Sequence, residues 1–187
     1  VSWYQPEPTV SLDLIKMLGV ATSTAVIDVG GGASVLVDAL VGLGFNDITV
    51  LDVSATALDA AQQRLGDSVA VNWLQDDVLS WRPERRYGLW HDRAVLHFLI
   101  EEEDRKTYLN ALRRAIEPGG AVVLGTFASD GPEYCSGLPV VRYSTGALSK
   151  ALGTDFEVVA TRKEVHTTPA NATQSFTWVA ARSIPTA

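Results

Sequence analysis

The sequence predicts an α/β protein with a mainly parallel sheet, and three observations carry that prediction. Five short apolar runs, each suited to a buried strand, alternate with helical segments along residues 24–128. A bare glycine turn, "DVGGGAS", follows the first run, where a strand hands over to a helix. Two period-two runs, 156–166 and 173–182, read as an antiparallel hairpin that closes the sheet.

"VSLDLIKMLG" (10–19) has helical apolar spacing and stops at a glycine. "TAVIDV" (24–29) is the first strand, and "ASVLVDALVGLG" (33–44) is a helix with its own stop signal. "DITVLDVS" (47–54) is the second strand, and Ser54 N-caps the helix "ATALDAAQQRLG" (55–66). "VAVNWLQDD" (69–77) is the third strand, and "YGLWHDRAVLHFL" (87–99) holds the fourth strand followed by a loop or helical turn. The helix over 101–120 places acids first and arginines last, as its macrodipole favours. "GGAVVLGTFA" (119–128) is the fifth strand, 129–143 is a loop containing Gly and Pro, and "STGALSKALG" (144–153) is a short capped helix.

The 187 residues suit one domain with a sizeable core. Within it, 1–22 form an N-terminal lid and helix, 23–128 the ligand-binding core, and 129–187 an acceptor loop and terminal hairpin. A net charge of −7 without a basic run argues against nucleic acid as partner. Apolar stretches too short for a membrane span and the lack of a secretory core make the cytoplasm the expected compartment. Cys135 is the only cysteine, and the three histidines lack ligand spacing with carboxylates, so no metal is expected.

Asp28, Gly30 and Gly32 form D-x-G-x-G at the first turn, with Gly31 between, and glycine there lets a ligand approach the main chain. Any tight turn favours glycine, so the motif alone is weak. Asp52 closes the second strand, where a carboxylate can accept both hydroxyls of a ribose, with Val53 beside it. In "QDDV" (75–78), Asp77 can accept from an adenine amine and the Val78 N–H can donate to its ring, while Asp76 is expected to be exposed. Together these features point to an adenosine-type ligand.

On these residues the sequence resembles the class I, seven-strand S-adenosylmethionine (SAM) dependent methyltransferases along essentially its whole length. "VIDVGGGAS" is similar to their first motif, "VLDVS" to the acidic second, "QDDV" to the adenine loop and "AIEPGGAVVLGTF" to the post-core motif. The resemblance implies a three-layer Rossmann-like sandwich, with SAM as cofactor and S-adenosylhomocysteine as product. It also implies that Gly30 and its neighbours face the methionine part.

The acceptor and the chemistry are expected beyond the fourth strand, at the carboxyl edge of the sheet. His91, Asp92, Arg93 and His97 put four polar groups within seven residues. A His–Asp pair can orient an acceptor or take its proton, which makes His91, Asp92 and His97 the catalytic candidates. Asp92 is counted with the cofactor contacts too. The alternative is a local Asp92–Arg93 ion pair with His97 as an aromatic spacer. Trp3 and Tyr4 in "SWYQPEP" can form an aromatic lid, or dock as an ordinary terminus. Arg93, His97 and Arg142 complete the expected acceptor contacts, although Arg142 could instead pack the following helix.

The expected activity is in-line methyl transfer to a small molecule through N, O or S, with a lean to a thiol or other small apolar acceptor. A lysine-directed protein methyltransferase and a SAM-binding module without turnover are the alternatives. A nicotinamide dehydrogenase is disfavoured, because the glycine fingerprint is incomplete and 187 residues leave no catalytic domain. A monomer or homodimer is expected.

Overall fold

The computed structural model describes residues 7–66, 71–168 and 171–185. The aromatic lid expected at Trp3 and Tyr4 lies outside them. Helix α1 (Thr9–Met17) precedes strand β1 (Val26–Val29), α2 (Leu36–Gly42), β2 (Ile48–Asp52), α3 (Ala55–Leu65) and β3 (Val71–Gln75). Then come β4 (Tyr87–Arg93), a single 3₁₀ turn (Leu96–Phe98), α4 (Glu102–Ala115) and β5 (Ile116–Phe127). The short strands β6 (Tyr134–Cys135) and β7 (Leu138–Pro139), helix α5 (Thr145–Leu152), and the long strands β8 (Phe156–Thr167) and β9 (Thr173–Ser183) complete the chain.

Seven strands form one sheet in the order β3-β2-β1-β4-β5-β9-β8. The first five are parallel, β9 runs antiparallel to both its neighbours, and β8 therefore runs with the first five. Val26, Ile27 and Val29 are buried on β1, which is covered on both faces, as a central parallel strand must be. One face packs on α1, α2 and α3 through Leu14, Ile15, Leu36, Leu40 and Leu58. The other packs on α4 and α5 through Tyr108, Leu112, Leu148 and Leu152. This is the three-layer sandwich that the resemblance implies. Chain order reverses between β1 and β4, and that switch point opens a crevice at the carboxyl edge.

The side-chain oxygens of Ser54 and Ser144 cap α3 and α5 by accepting the N–H of Ala57 and of Ala147. Two segments differ from the sequence reading. Helix α4 ends at Ala115, and Ile116 already pairs with Tyr87; a register shift before Leu89 and Ala121 takes up the Pro-Gly-Gly turn inside β5. The loop over 129–143 contains the β6–β7 hairpin. Its two-residue turn, Ser136 and Gly137, has positive φ at both positions (51° and 82°), as a tight hairpin turn demands.

Candidate active site

The crevice has a volume of about 460 Å³, within the range of about 300–1,000 Å³ usual for small-molecule sites. Asp52, Val53, Asp76, Asp77 and Val78 line it on the β2–β3 side. Gly30 and Gly31 form its middle, and Ser11, His91, Arg93 and Phe98 line the β4 side, with Pro8 above α1.

Each glycine of the first turn is bare for a different reason. Gly30 holds φ +71°, the left-handed region, and a Cβ there would run into Cγ2 of Val95. At Gly31 a Cβ would strike the carboxylate of Asp28. At Gly32 it would come within 2.6 Å of Asp52 Oδ2 and 2.8 Å of Ala57 Cβ. Gly30 and Gly31 line the crevice, and Gly32 is not among its lining residues. The bareness of Gly32 admits the chain's own aspartate, and its N–H donates to Asp52 Oδ2 at 2.9 Å. Ser54 N–H donates to the other oxygen at 2.8 Å, so the main chain aims the Asp52 carboxylate.

Asp76 and Asp77 both line the crevice, but their exposures reverse the expectation. Asp76 is half-buried, its Oδ1 accepting from Asp77 N–H at 2.8 Å, whereas Asp77 is exposed and accepts from Leu79 N–H at 2.9 Å. Val53 stands 65% exposed on the crevice wall, an open apolar surface suited to a flat ring.

Strand β4 runs through Arg93, and strand geometry sends alternate side chains to opposite faces. His91 and Arg93 turn toward the crevice, and Asp92 turns away. Asp92 is buried against α4, where it accepts from the N–H groups of Val95 (2.8 Å) and Leu96 (3.0 Å) and from the Tyr108 hydroxyl (2.6 Å). Burial pushes its carboxyl up to about 6, and those three donors oppose the rise. The expected His91–Asp92 pair is thus absent, and Asp92 contacts neither side of the crevice. Its role is to hold the turn after β4, in which Ala94 takes φ +75°.

The partner of His91 is Asp28, which stands opposite it in the β1–β4 register. Nδ1 of His91 lies 2.7 Å from Asp28 Oδ1, and Nε2 lies 2.9 Å from the Ser11 hydroxyl. Asp28 Oδ2 is buried and takes no hydrogen bond from the described residues. Ser11 belongs to no sequence motif, and its one signal is that it continues the buried stripe of Leu14, Ile15 and Leu18 at helical spacing.

His97 and Arg142 are also off the crevice. His97 sits between the rings of Phe98 (4.5 Å) and Phe127 (4.7 Å), and its Nδ1 accepts from Phe127 N–H at 3.3 Å. Burial, aided by the charge of Arg93, pushes its imidazole down to about 3, so it is neutral at physiological pH. It is a core aromatic with no wall in the crevice. Arg142 is exposed and braces its own loop, bonding the Gly131 carbonyl (3.1 Å) and Glu133 (3.0 Å). Arg93 remains at the site, its guanidinium 4.5 Å over the Phe176 ring and lowered to about 10 by burial. Among the described residues no cluster of three or more His, Cys, Asp or Glu is placed to hold a metal. No helix among them is long and apolar enough to cross a membrane.

A mainly parallel sheet whose switch-point crevice has a glycine floor and a strand-terminal aspartate is of the Rossmann-like class. Residues 26–120 match the family described as "Methyltransferase domain". The chain belongs to that family, the class I SAM-dependent methyltransferases. A malonyl-[acyl-carrier protein] O-methyltransferase of Ilyobacter polytropus is 29% identical over 82 residues, 44% of this chain and 30% of that protein. The match spans about a third of the length of such curated relatives. A structure solved for the conversion of a disulfide bond into a thioacetal group during echinomycin biosynthesis superposes with TM-score 0.77 at 19% identity, covering 98% of this chain and 86% of that one. The 1,6-didemethyltoxoflavin-N1-methyltransferase of Burkholderia thailandensis, bound to 1,6-didemethyltoxoflavin and S-adenosylhomocysteine, gives TM-score 0.74 at 21% identity, covering 95% and 77%. These two likenesses show a shared fold.

Proposed function

We propose that this chain is a SAM-dependent methyltransferase that transfers the methyl group to a small-molecule acceptor. The observation that carries the reading is one crevice joining a ribose-type carboxylate, Asp52, to a polar end built from Ser11, His91 and Arg93. The residues fit the cofactor: Gly30 and Gly31 bring main chain to the crevice wall, Asp52 is held by two N–H groups, and Val53 offers an apolar wall beside Asp76 and Asp77. When bound, SAM supplies a methyl group made electrophilic by its sulfonium.

The chain's own contribution is placement. Asp52 accepts the ribose hydroxyls, Asp76 or Asp77 the adenine amine, and the crevice excludes water from the β4 end. Holding the acceptor atom in line there supplies barrier reduction of up to about 7–11 kcal/mol in well-placed systems. Arg93 serves as a charged acceptor contact at that end. The lean to sulfur rests on Trp3 and Tyr4, while the described wall sets Ser11, His91 and Arg93 among apolar Val95, Phe98 and Leu99 and admits oxygen and nitrogen acceptors as well. Relatives named for O-methyl and N-methyl transfer support that breadth.

The test combines calorimetry with S-adenosylhomocysteine and NAD and a screen of phenols, amines, thiols and proteins with methyl-labelled SAM. S-adenosylhomocysteine should bind and label should enter a small molecule. Tighter binding of NAD overturns the cofactor assignment. Label entering only protein overturns the acceptor class, and binding without any transfer leaves a SAM-binding module.

A further inference from the structure

We propose that the Ser11 hydroxyl is the acceptor-facing end of a buried proton relay, Ser11–His91–Asp28, and that the acceptor is a protic nucleophile: a hydroxyl, a thiol or an N–H group. The proposal rests on the methyltransferase reading above and adds to it the route by which the acceptor loses its proton.

The geometry fixes the direction of the relay. Asp28 is an acceptor toward His91, so the 2.7 Å contact puts the ring proton on Nδ1. Nε2 is then a bare acceptor, and at 2.9 Å it receives the Ser11 O–H. Ser11, His91 and Asp28 are each no more than 2% exposed, yet all three touch the crevice at its β4 end. The sequence separates them by 17 and 63 residues, and three different elements bring them into line. The arrangement of hydroxyl, imidazole and carboxylate is the one by which enzymes move a proton off an oxygen.

The step balances as follows. The acceptor's lone pair forms the bond to the methyl carbon, and the electron pair of the broken carbon–sulfur bond stays on sulfur. The acceptor's proton passes to Ser11 Oγ while Ser11 gives its own to His91 Nε2. An imidazolium is left beside Asp28, and it returns its proton to solvent as products leave. Asp28 Oδ2 takes no hydrogen bond from the described residues, so positive charge on His91 relieves a costly buried carboxylate oxygen. Charged groups of both signs stand around that ring. Asp92 lies next along the strand, and Glu164 holds the indole N–H of Trp178, whose ring is 6.3 Å from His91. Arg93, on the same face of β4, opposes positive charge there.

Two measurements test the relay. ¹⁵N-histidine spectra of the ligand-free chain should show His91 protonated at Nδ1 and bare at Nε2, with the Nδ1–H signal displaced in Asp28→Asn. A proton on Nε2 overturns the proposal whatever the acceptor. In the labelled-methyl screen, run with phenols, thiols, primary amines, a tertiary amine and a dialkyl sulfide, turnover should be confined to the protic acceptors. Ser11→Ala should lower kcat by about 100-fold or more, the usual scale of general acid–base assistance. Its S-adenosylhomocysteine affinity should stay within about twofold, or 0.4 kcal/mol. Ser11→Thr, which keeps the hydroxyl, should retain activity, and raising the pH should rescue Ser11→Ala with a phenol. Wild-type kcat in Ser11→Ala, or turnover of either aprotic acceptor, overturns the proposal. Failure of the wild-type chain to bind S-adenosylhomocysteine strikes the methyltransferase reading instead, and leaves the tautomer result standing.

Discussion

Replacing Asp52 with alanine separates a ligand-binding carboxylate from one that merely braces a loop. The side chain accepts two main-chain N–H groups, from Gly32 at 2.9 Å and Ser54 at 2.8 Å. Hydrogen bonds to a charged group contribute about 1.5–3 kcal/mol each when buried. Asp52 is only half-buried, so water takes over part of both contacts, and a folding cost of about 1–2 kcal/mol is expected. For a domain of this size that lowers Tm by about 2–8 °C. Two ribose hydroxyls on the same carboxylate should add about 3 kcal/mol on the binding side, a loss of more than about 100-fold in Kd.

Calorimetry with S-adenosylhomocysteine and a thermal melt on the same variant read the two costs separately. Because a loosened Gly32 loop could itself weaken binding, the 2′-deoxy analogue supplies the control. Against it the Asp52→Ala penalty should shrink markedly, which is the coupling that a double cycle isolates. An unchanged Kd with a full drop in Tm refutes the ribose contact, as does a penalty of the same size for both ligands.

Gly31→Ala would drive a Cβ into the Asp28 carboxylate, with Val50 Cγ1 only 3.1 Å away; overpacking of this kind costs about 1–3 kcal/mol, so a thermal melt should show clear destabilisation. His97 is held near 3, below its unfolded value of 6.5, so it contributes stability above pH 6.5 that is lost as pH falls toward 3. His97→Phe should therefore flatten the acid limb of urea unfolding measured across that window. Asp92 has the opposite sign: its pKa is raised to about 6, so its contribution is fullest below about 4 and declines as pH rises through 6, by up to about 3 kcal/mol. The unfolding free energy of Asp92→Asn should lack that decline. Tyr108→Phe removes the hydroxyl that donates to Asp92 at 2.6 Å, and should cost about 1.5–3 kcal/mol above pH 6, as measured by chemical denaturation.

The sequence by itself determined the alternation of elements, the glycine turn, the serine caps and the place of Asp52, because each is written in local chemistry. A strand needs a short apolar run, a cap needs a hydroxyl before a helix, and a left-handed turn needs glycine at Gly30. Only the tertiary structure decided which acid serves His91. Adjacent Asp92 is the natural choice along the chain, but a strand turns neighbours to opposite faces. Asp28 instead reaches His91 because β1 and β4 lie side by side in register, across 63 residues of chain. Ser11 joins them only through the docking of α1, and Arg142 falls away from the crevice because its loop folds back on Glu133. His97 reads as a base by composition alone, but in the fold it lies between aromatic rings, where burial and the charge of Arg93 keep it neutral. Local propensity names the elements, whereas register and burial decide which side chains meet and which of them can carry a proton.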